Sequence, residues 1–145
     1  MTQEEKQLLL TDLCGRLMYG VKCKVFDFAT PHTLSGISPD LYEELYFTQL
    51  DFKESDGYAG VKFCKPYLFP MSSMSEEQKR ELEDMGWSFD DSVINNIVEY
   101  LGKHRQFVTH FDCFALIDWF NKNHFDYRGL IPLGLAIDCT NLNIY

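Results

Sequence analysis

The chain lacks the basic charge that a nucleic-acid binder carries. It has 13 Lys and Arg against 22 Asp and Glu, a formal net charge of −9. A long nucleic-acid contact needs a basic stripe that displaces counterions from phosphates. The only local cluster, Lys103, His104 and Arg105, is too short to supply one, so no extended nucleic acid is expected as a partner. Nor is there an apolar run near the ~20 residues of a membrane span. Met1 to Lys6 carries two glutamates and lacks the basic start and apolar centre of a signal peptide, which predicts a chain that stays in the cytoplasm. The five cysteines (Cys14, Cys23, Cys64, Cys113, Cys139) are odd in number and widely spaced, with no Cys-x-x-Cys. Neither a disulfide framework nor a zinc site is indicated, and five free thiols in a reducing compartment are expected. The glycine-rich phosphate loop and the Gly-x-Ser-x-Gly elbow are also missing, which argues against the familiar transferases and hydrolases.

What is present points to a packed core. Among 145 residues, 46% are hydrophobic and 15% aromatic, so disorder is excluded for most of the chain. The length fits one domain that buries a core without staples. Thr2 and Glu5 form a capping-box pattern ahead of a helix to Leu17, with Leu10, Leu13, Cys14 and Leu17 as its apolar stripe. Asp12 and Arg16 add an i,i+4 pair, and Gly20 is the stop. Val21 to Val25 alternates as a half-buried strand should, and Thr33 to Ile37 reads as a second short strand. Leu45 to Phe52 and Tyr58 to Cys64 read as a pair joined by a turn at Glu54 to Gly57, while Leu41 to Leu45 is ambiguous between strand and helical turn. Lys65 to Pro70, with two prolines, is expected to end the sheet.

A capping box at Ser75 and Gln78, or at Ser73 and Glu76, opens a surface helix to Met85 on which only Leu82 and Met85 are apolar. Asp91 caps an amphipathic helix with Ile94, Ile97, Val98 and Leu101 on one face. A further helix from Asp112 to Asn123 carries Cys113, Leu116, Ile117 and Phe120 on one side and Phe114, Ala115 and Trp119 on much of the other, and should be the most buried. Leu130 to Tyr145 can add one more strand. The fold class expected is α+β: a single domain over residues 1–145 with an antiparallel sheet of three to five strands and about four helices.

Two segments, Lys65-Pro-Tyr-Leu-Phe-Pro-Met-Ser-Ser-Met74 and Trp119 to Ile131, together with Leu8 to Leu17 and Tyr19 to Val21, carry a resemblance. The chain resembles a family of small uncharacterised proteins encoded by gut Bacteroidales, their phages and their mobile elements. The resemblance implies a setting, a bacterial cytoplasm and a phage or mobile-element gene. It implies no catalytic residue.

The block from Trp119 to Ile131 is the candidate site, because it sets His124, Asp126, Tyr127 and Arg128 between two apolar segments. On one reading Arg128 is a bidentate clamp for a phosphate or carboxylate. Tyr127 or Trp119 then offers a stacking face, His124 a switchable donor, and Lys65 and Tyr67 complete the pocket. On the other, an ion pair from Arg128 to Asp126 or Asp118 ties the helix to the following segment, with Tyr127 in the core. The echo of His110-Phe-Asp112 in His124-Phe-Asp126 has the spacing of metal ligands. A helix between the copies, at ~1.5 Å per residue, would hold them roughly 20 Å apart, so they do not form one four-ligand site. No metal or cofactor is expected. Cys113, three residues from His110, falls on an apolar helical stripe where thiols are inert.

These features support a non-enzymatic binding protein of phage or mobile-element origin. In its concrete form it is a counter-defence protein that sequesters a small anionic nucleotide signal or blocks a host defence protein. The alternative is a structural or regulatory protein–protein interaction module, and a third reading is a hydrolase of undescribed type. The oligomeric state is left open.

Overall fold

A computed structural model describes residues 1–38, 44–48, 57–87 and 110–145, with side chains of the last segment described from residue 113. The described elements are α1 (Gln3–Arg16), β1 (Lys22–Val25), β2 (His32–Ile37), β3 (Glu44–Phe47), β4 (Gly57–Gly60), β5 (Cys64–Leu68), α2 (Glu76–Asp84), α3 (His110–Lys122) and β6 (Ile137–Asp138). The fold is α+β. The helix expected from Asp91 and the turn at 54–56 lie outside the described residues.

The sheet has six strands in the order β4-β3-β2-β1-β5-β6. The pairs from β4 through β5 are antiparallel, but β5 and β6 run parallel, with Tyr67 opposite Ile137 and Leu68 opposite Asp138. The sheet is therefore mixed and one strand larger than expected. The extra strand is β5. The run expected as one strand from Tyr58 to Cys64 breaks at a 3-10 turn over Val61–Phe63, and a new strand starts at Cys64 and runs through Pro66.

Pro66 is tolerated because of its register. The Phe26 N–H donates to the Phe63 carbonyl at 2.9 Å, which marks 26/63 as a hydrogen-bonded pair. Antiparallel pairs alternate, so Lys24/Lys65 is again a bonded pair and Cys23/Pro66 is not. Pairing with β6 begins only at Tyr67. The N–H that proline lacks has no ladder bond to make.

α1 starts where expected, with Thr2 and Glu5 each closing the capping box, and Gly20 adopts φ 63° after a 3-10 turn at Leu17–Tyr19. Its buried face differs from the expected stripe: Leu9, Asp12, Leu13 and Arg16 point inward, while Cys14 is exposed and Leu10 and Leu17 are half-buried. The hydrophobic pattern could not show this, because a buried ion pair replaces one turn of the stripe. Leu9 and Leu13 pack with Val21, Cys23, Val25, Leu34 and Phe47 against the sheet. Each such side chain contributes about 1.5–3 kcal/mol by leaving water.

A second cluster joins Met71, Met74, Leu82, Leu116, Trp119, Phe120, Phe125 and Tyr127. α2 begins at the Ser75 and Gln78 box and buries Leu82, with Met85 38% exposed. In α3, Leu116 and Phe120 are fully buried, but Phe114 is 71% exposed and Ala115 is also outside. The expectation of a helix buried on its second side as well, through Phe114, Ala115 and Trp119, is corrected for the first two; Trp119 is buried. α3 spans His110–Lys122, so it starts two residues before the expected Asp112. α1 and α3 approach closely at Gly15, where a Cβ would lie 2.9 Å from Asn121 Nδ2. Among the described residues no helix is long and apolar enough to cross a membrane.

Candidate functional site

The polar block is built around a carboxylate that the sequence placed elsewhere. Arg16 donates from Nε to Asp12 Oδ2 at 2.7 Å and from Nη2 to Asp12 Oδ1 at 2.9 Å, and both side chains are fully buried. Arg16 Nη2 also reaches the Phe125 carbonyl at 2.7 Å, and Nη1 the Phe120 carbonyl at 3.5 Å. Arg128 joins the same carboxylate, its Nε lying 3.5 Å from Asp12 Oδ1. The ion pair expected from Arg128 to Asp126 or Asp118 is thus corrected to Asp12. Asp126 instead accepts the backbone N–H groups of Leu130 and Ile131 at 2.7 Å each, and Asp118 accepts the Tyr19 hydroxyl.

The aromatic faces of the block are occupied by its own neighbours. Arg16 Cζ lies 5.4 Å and Arg128 Cζ 4.9 Å from the Tyr127 ring centroid, and the ring stacks on Phe120. Its hydroxyl donates to Asn121 Oδ1 and accepts from Arg128 Nε. Trp119 stacks on Phe125 and donates its indole N–H to Glu81. Neither ring offers an open stacking face, since Tyr127 is 5% and Trp119 9% exposed.

His124 does not act as a switch near neutrality. It sits at φ 58° and stacks on Tyr145 with ring centroids 3.9 Å apart. Burial, then the charges of Arg16 and Lys22, push its pKa down to about 4. The ring is neutral where an anion-holding donor would need charge. Its Nδ1 is buried with no hydrogen-bond partner among the described residues. Burial raises the Asp126 pKa, against the two backbone N–H groups that lower it.

Tyr145 also closes the β1–β5 ladder. The next bonded pair after Lys24/Lys65 is Lys22/Tyr67, and there the Tyr145 hydroxyl stands between the strands. It accepts from the Lys22 N–H at 3.1 Å and donates to the Tyr67 carbonyl at 2.9 Å.

Lys65 belongs to a different place from Arg128. It lines a cleft of about 510 Å³ with Lys24, Lys62, Phe26, Phe63, Asp27 and Ile137. Tyr67, two residues on, is buried. Lys24 and Lys65 are direct cross-strand partners. Like charges so placed are destabilising, and neither forms an ion pair among the described residues. Phe26 and Phe63 remain 42% and 46% exposed, their centroids 5.0 Å apart, and Lys62 Nζ lies 4.8 Å over the Phe63 ring. Of the lining, the sequence pointed to Lys65 and not to Lys24, Lys62, Phe26, Phe63, Asp27 or Ile137. The available signal was the Lys22/Lys24 alternation beside Lys62 and Lys65; the register that joins them is tertiary.

Nucleophile chemistry finds little here. The Cys23, Cys64 and Cys139 thiols are buried, and burial raises the pKa of each, Cys64 to about 12 and Cys139 to about 11. They stay protonated and unreactive. Among the described residues, no three His, Cys, Asp or Glu side chains converge on one point as metal ligands. Comparison with family models, curated proteins and solved structures found no match to this chain.

Proposed function

We propose that this is a non-enzymatic binding protein that takes up a small anion in the cleft of Lys24, Lys62 and Lys65. One observation carries the reading: Lys24 and Lys65 oppose each other across the β1–β5 ladder and form no ion pair among the described residues, even with Asp27 in the lining of the same cleft, in a chain of net charge −9. The repulsion between them is relieved when a phosphate or carboxylate sits between the ammonium groups. The cleft is within the size range of small-molecule sites. The setting implied by the resemblance is a phage or mobile-element protein in a bacterial cytoplasm. There, the role is counter-defence, by sequestering an anionic signal or blocking a host defence protein.

The test is thermal unfolding with tripolyphosphate and with citrate. An anion at 100 times its dissociation constant stabilises by about 2.7 kcal/mol, a rise of roughly 5–10 °C for a domain of this size. Lys24→Ala and Lys65→Ala should abolish the rise, and Arg128→Ala should keep it. If no anion raises the melting temperature, or if only Arg128→Ala removes the effect, the cleft is not the site.

A further inference from the structure

We infer that the ligand of the lysine cleft is a nucleotide, its phosphates held by Lys24 and Lys65 and its base stacked on the paired rings of Phe26 and Phe63. This rests on the anion-binding reading and adds the chemistry of the ligand's other half. Its first support is the backbone of Phe26. This residue lies at φ 50°, a conformation that costs a side chain with a Cβ about 1–2 kcal/mol and is unusual for a bulky residue. Core packing does not repay that cost in full, since the ring stays 42% exposed. The conformation does set the ring 5.0 Å from that of Phe63 at the cleft, while the Phe26 N–H keeps its ladder bond to the Phe63 carbonyl. A strained residue that holds an exposed aromatic ring beside two lysines with no ion pair among the described residues is characteristic of a binding site.

The second support is the match of two chemistries over a short span. Hydrogen-bonded antiparallel partners have Cα atoms about 5.5 Å apart, so the Lys24 and Lys65 side chains can reach one phosphate or two adjacent ones. The Phe pair borders the same cavity. A simple inorganic anion has no use for that apolar surface, and a purely aromatic ligand has none for three lysines. The two rings are tilted by 33° at 5.0 Å. Contacts of about 3.5 Å on each face of a base would need about 7 Å between rings, so the base lies on the pair and does not insert between its members. The Lys62 ammonium covers part of the Phe63 ring and Phe28 meets Phe26 edge-on, so the base has only the ring surface left exposed, and Lys62 adds positive charge beside the phosphates. Stacking of this kind tolerates any base, so the phosphate count sets selectivity more than base identity does.

The experiment measures dissociation constants by calorimetry for the intact chain with tripolyphosphate, ATP, GTP and a cyclic dinucleotide. A base stacked on an aromatic residue contributes on the order of tenfold or more in affinity. The nucleotides should therefore bind at least about tenfold tighter than tripolyphosphate. Phe63→Ala should remove that difference and leave tripolyphosphate binding intact. Phe26→Gly should do the same without lowering the melting temperature much, because glycine accepts the positive φ. Lys24→Ala should weaken every ligand. Preference for ATP and GTP over the cyclic dinucleotide places a terminal phosphate chain on the lysines; the reverse places a diester there. If tripolyphosphate and nucleotides bind equally, or the nucleotide advantage survives both Phe substitutions, the nucleotide inference is overturned while the anion site stands. If nothing binds, both fall.

Discussion

Asp12 and Arg16 form a bidentate ion pair one helical turn apart with no solvent access to either side chain. The pair is stable there because Arg16 has carbonyl acceptors on the facing segment, at Phe120 and Phe125, and because Arg128 shares the Asp12 carboxylate. A buried pair that lacked these extra partners would be a net burden. Here it fastens α1 to the turn after α3.

Asp12→Ala should therefore be among the most damaging polar substitutions in the protein. It leaves Arg16 buried without its counter-charge and costs roughly 3–5 kcal/mol, read as a shift of the urea midpoint. A loss under about 1 kcal/mol would show that water reaches Arg16 in solution.

Arg128→Ala should be far milder. The Arg128 side chain is 26% exposed, and its removal leaves Asp12 still held by Arg16. A partly exposed ion pair contributes about 1 kcal/mol or less. Urea unfolding of the single and double variants with Asp12→Ala gives the coupling, and a cost of 3 kcal/mol or more for Arg128→Ala alone would contradict the shared-carboxylate arrangement.

Tyr145→Phe isolates the hydroxyl that bridges β1 and β5. Without it the Lys22 N–H, at an exposed bond, and the Tyr67 carbonyl, at a part-buried one, lose their partners, at about 0.5–1.5 kcal/mol for a typical bond. Hydrogen exchange at the Lys22 amide should accelerate along with a lower melting temperature. Unchanged exchange would mean that the strands close on each other directly.

His124 should make stability fall with acid. Its folded pKa, about 4, lies below its ordinary 6.5, so the unfolded chain binds the proton first. The His124 contribution is fully present above pH 6.5 and is lost as pH falls toward 4. Asp126, raised by burial, titrates in the opposite sense, so the signal is the difference between the wild type and His124→Asn, a residue that tolerates the positive φ. If the two stability curves run parallel from pH 7 to 4, the ring is not buried neutral.

Patterns that act within a few residues were legible in the chain. The capping boxes at Thr2 and Ser75, the alternation at Val21 to Val25 and the hydrophobic face with Leu116 and Phe120 depend on neighbours one to four positions away, and the structure keeps them. The block at Trp119 to Ile131 was visible as a polar cluster, since burying charge between apolar segments demands partners.

Which partners they would be was not legible. Asp12 is more than a hundred residues from Arg128, and only the packing of α1 on α3 brings them together. Pro66 looked like a sheet terminator because the ladder's phase, fixed by Phe26 and Phe63, cannot be read from composition. The lysine cleft has the same origin. Lys24 and Lys65 are forty-one positions apart in the chain, and they face each other because antiparallel register pairs them. The sequence by itself determined the α+β class, the acidity and the capped starts of α1 and α2, because local sterics and hydrogen bonding act within a turn. Tertiary structure decided which charges are buried together and which oppose each other at the surface, because Coulomb energy and desolvation depend on distance in space.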